Sequence, residues 1–265
     1  MIRKYAIHFA CFVFGLLASL ANAQSMPPDM RNLCDKANTS VFTPLPESIG
    51  APHSDPLFNA IEMGGNNRVV KILLKNRNPD KIVINGMTPL VAAAYVGNWP
   101  AAEALIESGA DVNFKDPDVL ETPLMAALLK SKYSMACKLI ENKASLPTEK
   151  VDRDSLLREA KVSTPDLHDD AAVFVNFLLE NGFDANDQGS QTETPLMGAV
   201  SLSNIPVINV LLKHGARLDI VKKNGLTVWD VARKKNNPDV LKILNDAQKK
   251  ADAAKKSGVK ERLSR

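Results

Sequence analysis

From Thr88 onward the apolar positions follow the period of a helix, in two short runs separated by a glycine. Leu90, Ala93 and Ala94 fall on one stripe, and Ala101, Ala104, Leu105 and Ile106 fall on one face of a second run, with Glu103 and Glu107 turned outward. This spacing predicts two helices whose apolar faces meet. The punctuation agrees. Thr88 is placed to cap the first helix with its hydroxyl, and Pro89 takes the first helical position, where a missing N–H costs nothing. Gly97 stops that helix, Asn98-Trp99-Pro100 restarts the chain, and Gly109 ends the second helix in a left-handed cap. Asp111-Val112-Asn113 then leads into a polar turn, Lys115-Asp116-Pro117-Asp118, which projects as a finger from the helix pair.

The unit returns along the chain. Thr-Pro-Leu stands at Thr88, Thr122 and Thr194, with weaker openings in register at Asp55-Pro56-Leu57, Asp154-Ser155-Leu156 and Thr227-Val228-Trp229; start to start the intervals are 33, 34, 32, 40 and 33 residues. A Leu-Leu-like pair stands 17 residues after each Thr-Pro-Leu, as Leu105-Ile106, Leu139-Ile140 and Leu211-Leu212. The restart recurs as Asn204-Ile205-Pro206 and Asn237-Pro238. Together with Gly97-Asn98, the run from Ser108 to Asn113 and its echoes from Glu180 to Asn186 and from Lys213 to Asp219, these strings resemble the ankyrin repeat family, whose period is near 33. The resemblance covers roughly residues 54–247. It implies an all-α fold, an ankyrin-repeat solenoid of about six helix-turn-helix repeats with β-turn fingers.

Departures from the family pattern carry expectations of their own. Val91, Met125 and Met197 stand where the family usually has His, which implies apolar contact in place of a polar bridge between repeats. The copy near Asp154 lacks both Thr and Pro, and its surplus falls at residues 161–170, where Pro165 and His168-Asp169-Asp170 read as a loop inserted between its two helices. Thr43-Pro44-Leu45 opens no repeat, because Pro46 leaves no helix there. Residues 24–53 read as a proline-rich linker with one short helix near Asp29 to Ala37, covering the first repeat as a solenoid end requires. Residues 54–247 are then the repeat domain, and 248–265 a basic C-terminal tail.

At 265 residues, with 45% hydrophobic but only 5% aromatic content, the chain suits one elongated domain with an aliphatic core. Arg3 and Lys4, an apolar run from Tyr5 to Leu20, and Ala21-Asn22-Ala23 fit a secretory signal peptide over residues 1–23, cut between Ala23 and Gln24. An uncleaved anchor competes, but the run is shorter than the ~20 residues a span needs. Removing Arg3 and Lys4 lowers the net charge from +3 to +1; residues 248–265 hold seven basic and two acidic groups, so residues 24–247 carry −4. The tail reads as a solvated, partly helical or frayed terminus, and no nucleic acid partner is expected. Cys34 and Cys137 remain after cleavage, an even count in an oxidising compartment. Two readings stay open, a Cys34 to Cys137 disulfide tying the N-terminal segment across the stack and a Cys137 that simply packs.

No constellation for catalysis emerges. His53, His168 and His214 stand apart in sequence, His214 at a helix end where a cation favours the dipole. His168-Asp169-Asp170 is the nearest approach to a metal cluster, and three adjacent loop residues do not enclose an ion unaided. The expectation is a non-enzymatic, cofactor-free, metal-free monomer that binds another protein. The family resemblance implies contacts from finger tips and exposed positions of the first helices: Asn85, Met87, Tyr95 and Val96; Asp118, Val119, Glu121, Leu129 and Lys130; Gln191, Glu193, Ser201 and Leu202; Asn224 and Lys234. The function expected is a periplasmic adaptor that stabilises or inhibits an envelope enzyme. The alternatives weighed are a secreted effector acting on a host protein and a hydrolase with its site at residues 161–170.

Overall fold

The computed structural model describes residues 26–39, 55–84, 86–115, 122–147, 157, 165–188 and 193–263. A leading helix, α1 (Pro28–Thr39), precedes helix pairs in strict succession: α2 (Pro56–Glu62) with α3 (Asn67–Leu74), α4 (Pro89–Val96) with α5 (Trp99–Glu107), and α6 (Pro123–Leu129) with α7 (Tyr133–Glu141). In the fourth repeat the second helix is α8 (His168–Glu180); of its first helix only Leu157, which is buried, is among the described residues. Then come α9 (Pro195–Ser201) with α10 (Ile205–Lys213), and α11 (Val228–Lys235) with α12 (Pro238–Leu263). Among the described residues there is no strand, only an isolated bridge between Ile84 and Met87 at a finger.

Except at α7 and α8, the paired helices begin where a side chain satisfies free N–H groups. The hydroxyls of Thr88, Thr122 and Thr194 accept from the backbone N–H three residues on, at 3.4, 3.3 and 3.2 Å, with proline next in line each time. Asn98 does more. Its Oδ1 accepts from Ala101 N at 3.2 Å, while its Nδ2 donates to the carbonyls of Ile61 and Gly65 in the preceding repeat, at 2.9 and 3.2 Å. One side chain, 3% exposed, thus starts α5 and ties two repeats together. Lys132 holds the same place before α7 and makes no side-chain cap. Gly97 has φ 81°, a left-handed turn glycine adopts without strain.

Two layers follow from side-chain size. First helices pack on first helices, α2 on α4, α4 on α6 and α9 on α11, through Ala92, Ala93, Ala94, Ala126, Ala127 and Ala199. Second helices bury larger groups, including Leu105, Tyr133, Leu139, Phe174, Leu178 and Leu211. An array spaced more closely on one side curves toward it, so the first helices face the concave side. Loops are stapled by Asx side chains: Asp80 accepts from Asp111 N, Asn113 bridges to Lys143 O and Ser145 N, and Asn186 bridges to Gly215 O and Arg217 N.

Two expectations change. The leading helix forms where expected, with Met30, Leu33, Cys34 and Ala37 buried on one stripe, but it packs across α7 and α8 in the middle of the array, not over the first repeat. It is held there by a disulfide between Cys34 and Cys137, whose Cα atoms are 5.0 Å apart, and by an ion pair of Lys36 with Asp170. Second, His168-Asp169-Asp170 is not loop but the first turn of α8, preceded by a 3-10 turn at Pro165–Leu167. α8 has 13 residues against 9 in α5, α7 and α10. Part of the insertion is therefore an added helical turn, and its acidic residues meet α1. Beyond residue 248 the C-terminal segment is helical and exposed, α12 running unbroken to Leu263 while burial ends near Ala247.

Candidate protein-binding surface

The seventh residue after each repeat opening falls on the first-helix side, away from the second layer. In successive repeats it is Glu62, Tyr95, Leu129, Ser201 and Lys234, and none of these is buried; Leu129 is 44% exposed. Tyr95 and Leu129 sit on α4 and α6, which pack together. The Lys130 ammonium lies 4.4 Å from the centre of the Tyr95 ring, a cation–π contact worth about 0.5–1 kcal/mol at an exposed site. Tyr95, Leu129 and Lys130 thus form one apolar-cationic patch across two repeats. The eighth position varies from repeat to repeat, exposed at Met63, Lys130 and Lys235 and buried at Val96. Val96 is only 5% exposed and is removed from the candidate set: one further residue turns the side chain about 100° around the helix, into the core. Leu202 is half-buried, and Lys235 is exposed.

On the fingers, Met87 is half-buried and Asn224 exposed, its side chain accepting from Leu226 N at 3.3 Å within the last turn. Glu193 is half-buried and paired with Lys222 of the next finger at 3.0 Å, so its charge is already neutralised. Asn85, Asp118, Val119, Glu121 and Gln191, like Ala23 and Gln24 at the expected cleavage point, lie outside the described residues. Met63, 71% exposed, was missed. It is the eighth residue after Asp55, the place that Val96 holds in the next repeat, so the seventh-residue count does not reach it. Val83 and Val221 are exposed at the bases of fingers; no spacing rule singled them out.

The comparisons with known proteins bear on this geometry. The family described as ankyrin repeats (3 copies) matches residues 57–150 and 168–256. The chain belongs to the ankyrin repeat family. Dauer abnormal formation protein 25 of Caenorhabditis elegans is 39% identical over 90 residues, 34% of this chain and 23% of that protein. Ankyrin repeat and SOCS box protein 6 of Homo sapiens is 27% identical over 146 residues, 53% of this chain and 34% of that protein. The chain therefore spans well under half the length of these two relatives. The crystal structure of the human ASB11 ankyrin repeat domain matches with a TM-score of 0.52 at 21% identity, covering 78% of this chain and 92% of that one. That likeness is one of fold. Ankyrin repeats are protein–protein interaction modules, and the family indicates a protein partner.

Elsewhere in the ankyrin array the histidines and acidic groups do not converge on a common centre among the described residues. His214 follows α10, and its Nε2 meets Asn176 Oδ1 of α8 at 2.8 Å. His168, Asp169 and Asp170 diverge around the first turn of α8; Asp170 is taken by Lys36, and His168 Nε2 is enclosed without a hydrogen-bond partner. His53 lies outside the described residues. Among the described residues, no group of three or more His, Cys, Asp or Glu is placed to hold a metal ion, and no helix is long and apolar enough to cross a membrane.

Proposed function

We propose that this chain is an exported bacterial ankyrin-repeat adaptor, acting in the periplasm, that grips a protein partner through its concave side and thereby stabilises or inhibits an envelope enzyme. The observation that carries the binding surface is the patch of Tyr95, Leu129 and Lys130 on adjoining repeats, in which Leu129 and Lys130 are exposed and Tyr95, half-buried, keeps its ring under the Lys130 ammonium. A surface held in place before binding loses little conformational entropy on contact. Export draws support from two sides. The leading residues have the basic, apolar and small-residue order of a secretory signal, and the Cys34 to Cys137 disulfide belongs to an oxidising compartment.

The binding experiment compares wild type with a Tyr95→Ala/Leu129→Ala double variant as bait in periplasmic extract. A partner identified with wild type and lost with the double variant supports the surface. Equal recovery by both rejects it. Export has its own check: the N-terminal sequence of protein released by osmotic shock should begin at Gln24, and an intact Met1 in the cytoplasmic fraction would refute that part alone.

A further inference from the structure

The last helix leaves the array. Val240 and Leu244 anchor α12, Ala247 is the last residue packed on the core, and residues 249–256 are exposed although the helix continues to Leu263. Sixteen residues beyond Ala247 project about 24 Å at 1.5 Å per residue. Between this overhang, the outer side of α10 and the loop after it lies a groove of about 930 Å³. Leu212, Leu218, Ile243, Ala247 and Ala251 line it. Ile243, Ala247 and Ala251 follow one another at single-turn spacing, and the two alanines admit close approach by another helix.

We infer that this groove docks an acidic amphipathic helix of another protein, on the side of the array opposite the Tyr95 patch. Charge selects the occupant. Within the groove, Arg217 and Asp219 are paired with each other at 2.9 Å, and Asp246 faces Lys249 at 3.7 Å. Lys213 on one wall and Lys250 on the other make no ion pair among the described residues, and Lys255 makes none while acting at longer range on the Asp219 carboxylate. A second copy of the chain is disfavoured, because residues 248–265 carry +5 in each copy and would repel. Nucleic acid is poorly served by a floor of aliphatic side chains with no aromatic ring to stack a base. A helix with leucines at i, i+3, i+4 and i+7 and glutamates on its flanks fills the apolar floor and meets all three lysines. This inference is independent of the concave-face reading.

The test titrates the purified chain with a fluorescent peptide of that leucine-and-glutamate design. The controls are a peptide with lysines in place of the glutamates, a scrambled peptide and a DNA duplex. Expected is saturable binding with a Kd on the order of 10 µM, new hydrogen-exchange protection over residues 248–263, and weaker binding by at least about tenfold in Lys213→Glu/Lys250→Glu/Lys255→Glu. Ala251→Trp, which fills the groove from an exposed position, should block binding with the circular dichroism spectrum intact. Tyr95→Ala/Leu129→Ala should bind the peptide like wild type. Absence of saturation, equal binding of the lysine-flanked or scrambled peptide, tighter binding of DNA, or a self-association that excludes the peptide would each overturn the inference.

Discussion

Breaking the bond between Cys34 and Cys137 tests whether the leading helix is part of the array's stability or an ornament on it. The two cysteines are 103 residues apart. For a loop near that length the chain-entropy relation gives about 4.7 kcal/mol of stabilisation, and real bonds usually deliver about 2–4. α1 has 12 residues, and a helix of that length is marginal in water without tertiary contacts; Met30, Leu33 and Ala37 supply those contacts only while the helix is seated. Reduction, or a Cys34→Ser/Cys137→Ser double variant, is therefore expected to cost about 3 kcal/mol. With a urea m-value of about 2–3 kcal/mol per molar, the unfolding midpoint followed by circular dichroism should fall by roughly 1–1.5 M. Hydrogen exchange adds the location: amides of α1 should lose protection first, then those of α7 and α8, with α3 little affected, since repeats feel chiefly their neighbours. A midpoint unchanged within about 0.2 M, with α1 still protected and mass spectrometry showing two free thiols, would refute the reasoning.

Other residues make sharper local demands. Asn98→Ala removes a helix cap and two hydrogen bonds to carbonyls of the preceding repeat, so a loss of about 2–3 kcal/mol is expected in the same urea titration. Lys132→Asn should go the other way, raising stability by about 1 kcal/mol, because it supplies α7 with the side-chain cap it lacks and removes an ammonium whose pKa burial pushes down. The Asp230 carboxyl is held down to about 2, first by hydrogen bonds from the Thr227 hydroxyl and N–H and then by Arg233. A folded pKa below the unfolded 3.8 contributes stability above that value and loses it as pH falls toward 2. Hydrogen exchange of α11 should accordingly quicken between pH 4 and 2 beyond the intrinsic rate in wild type, and Asp230→Asn should flatten that step.

The repeat frame was legible because the signals that set it are local. A threonine hydroxyl reaches an N–H three residues away, a proline fixes the next φ, and a glycine or asparagine turns the chain, all within one helical turn of sequence. Those contacts recur at Thr88, Thr122 and Thr194 as the period predicts. What sequence misplaced depends on contacts between distant segments. The stripe of Met30, Leu33, Cys34 and Ala37 announces an amphipathic helix, yet nothing in the stripe says which face of the array receives it. Only Cys137, lying in the third repeat, pointed there. The extra turn of α8 was masked by the same ambiguity, since Pro165 and Asp169-Asp170 suit a loop and equally suit a helix start, where proline loses no bond and carboxylates favour the dipole. The stripe of Ala171, Phe174, Val175 and Leu178 that follows was the arbiter.

The binding surface depends on finer angles still. Tyr95 and Val96 are adjacent in sequence and alike in exposing an apolar side chain to any composition-based reading, but about 100° of rotation separates them. Only the position of α6 decides which is covered. One repeat back, Met63 holds the place of Val96 and yet is 71% exposed. The seventh and eighth positions after each opening, read across repeats, are the unit in which this fold presents a surface: acidic and apolar at Glu62 and Met63, aromatic, apolar and cationic at Tyr95, Leu129 and Lys130, cationic at Lys234 and Lys235. A partner lying along the array has to match that graded order. Reversing it at the cationic end with Lys234→Glu/Lys235→Glu should therefore slow association and weaken its dependence on salt while leaving the unfolding midpoint in place.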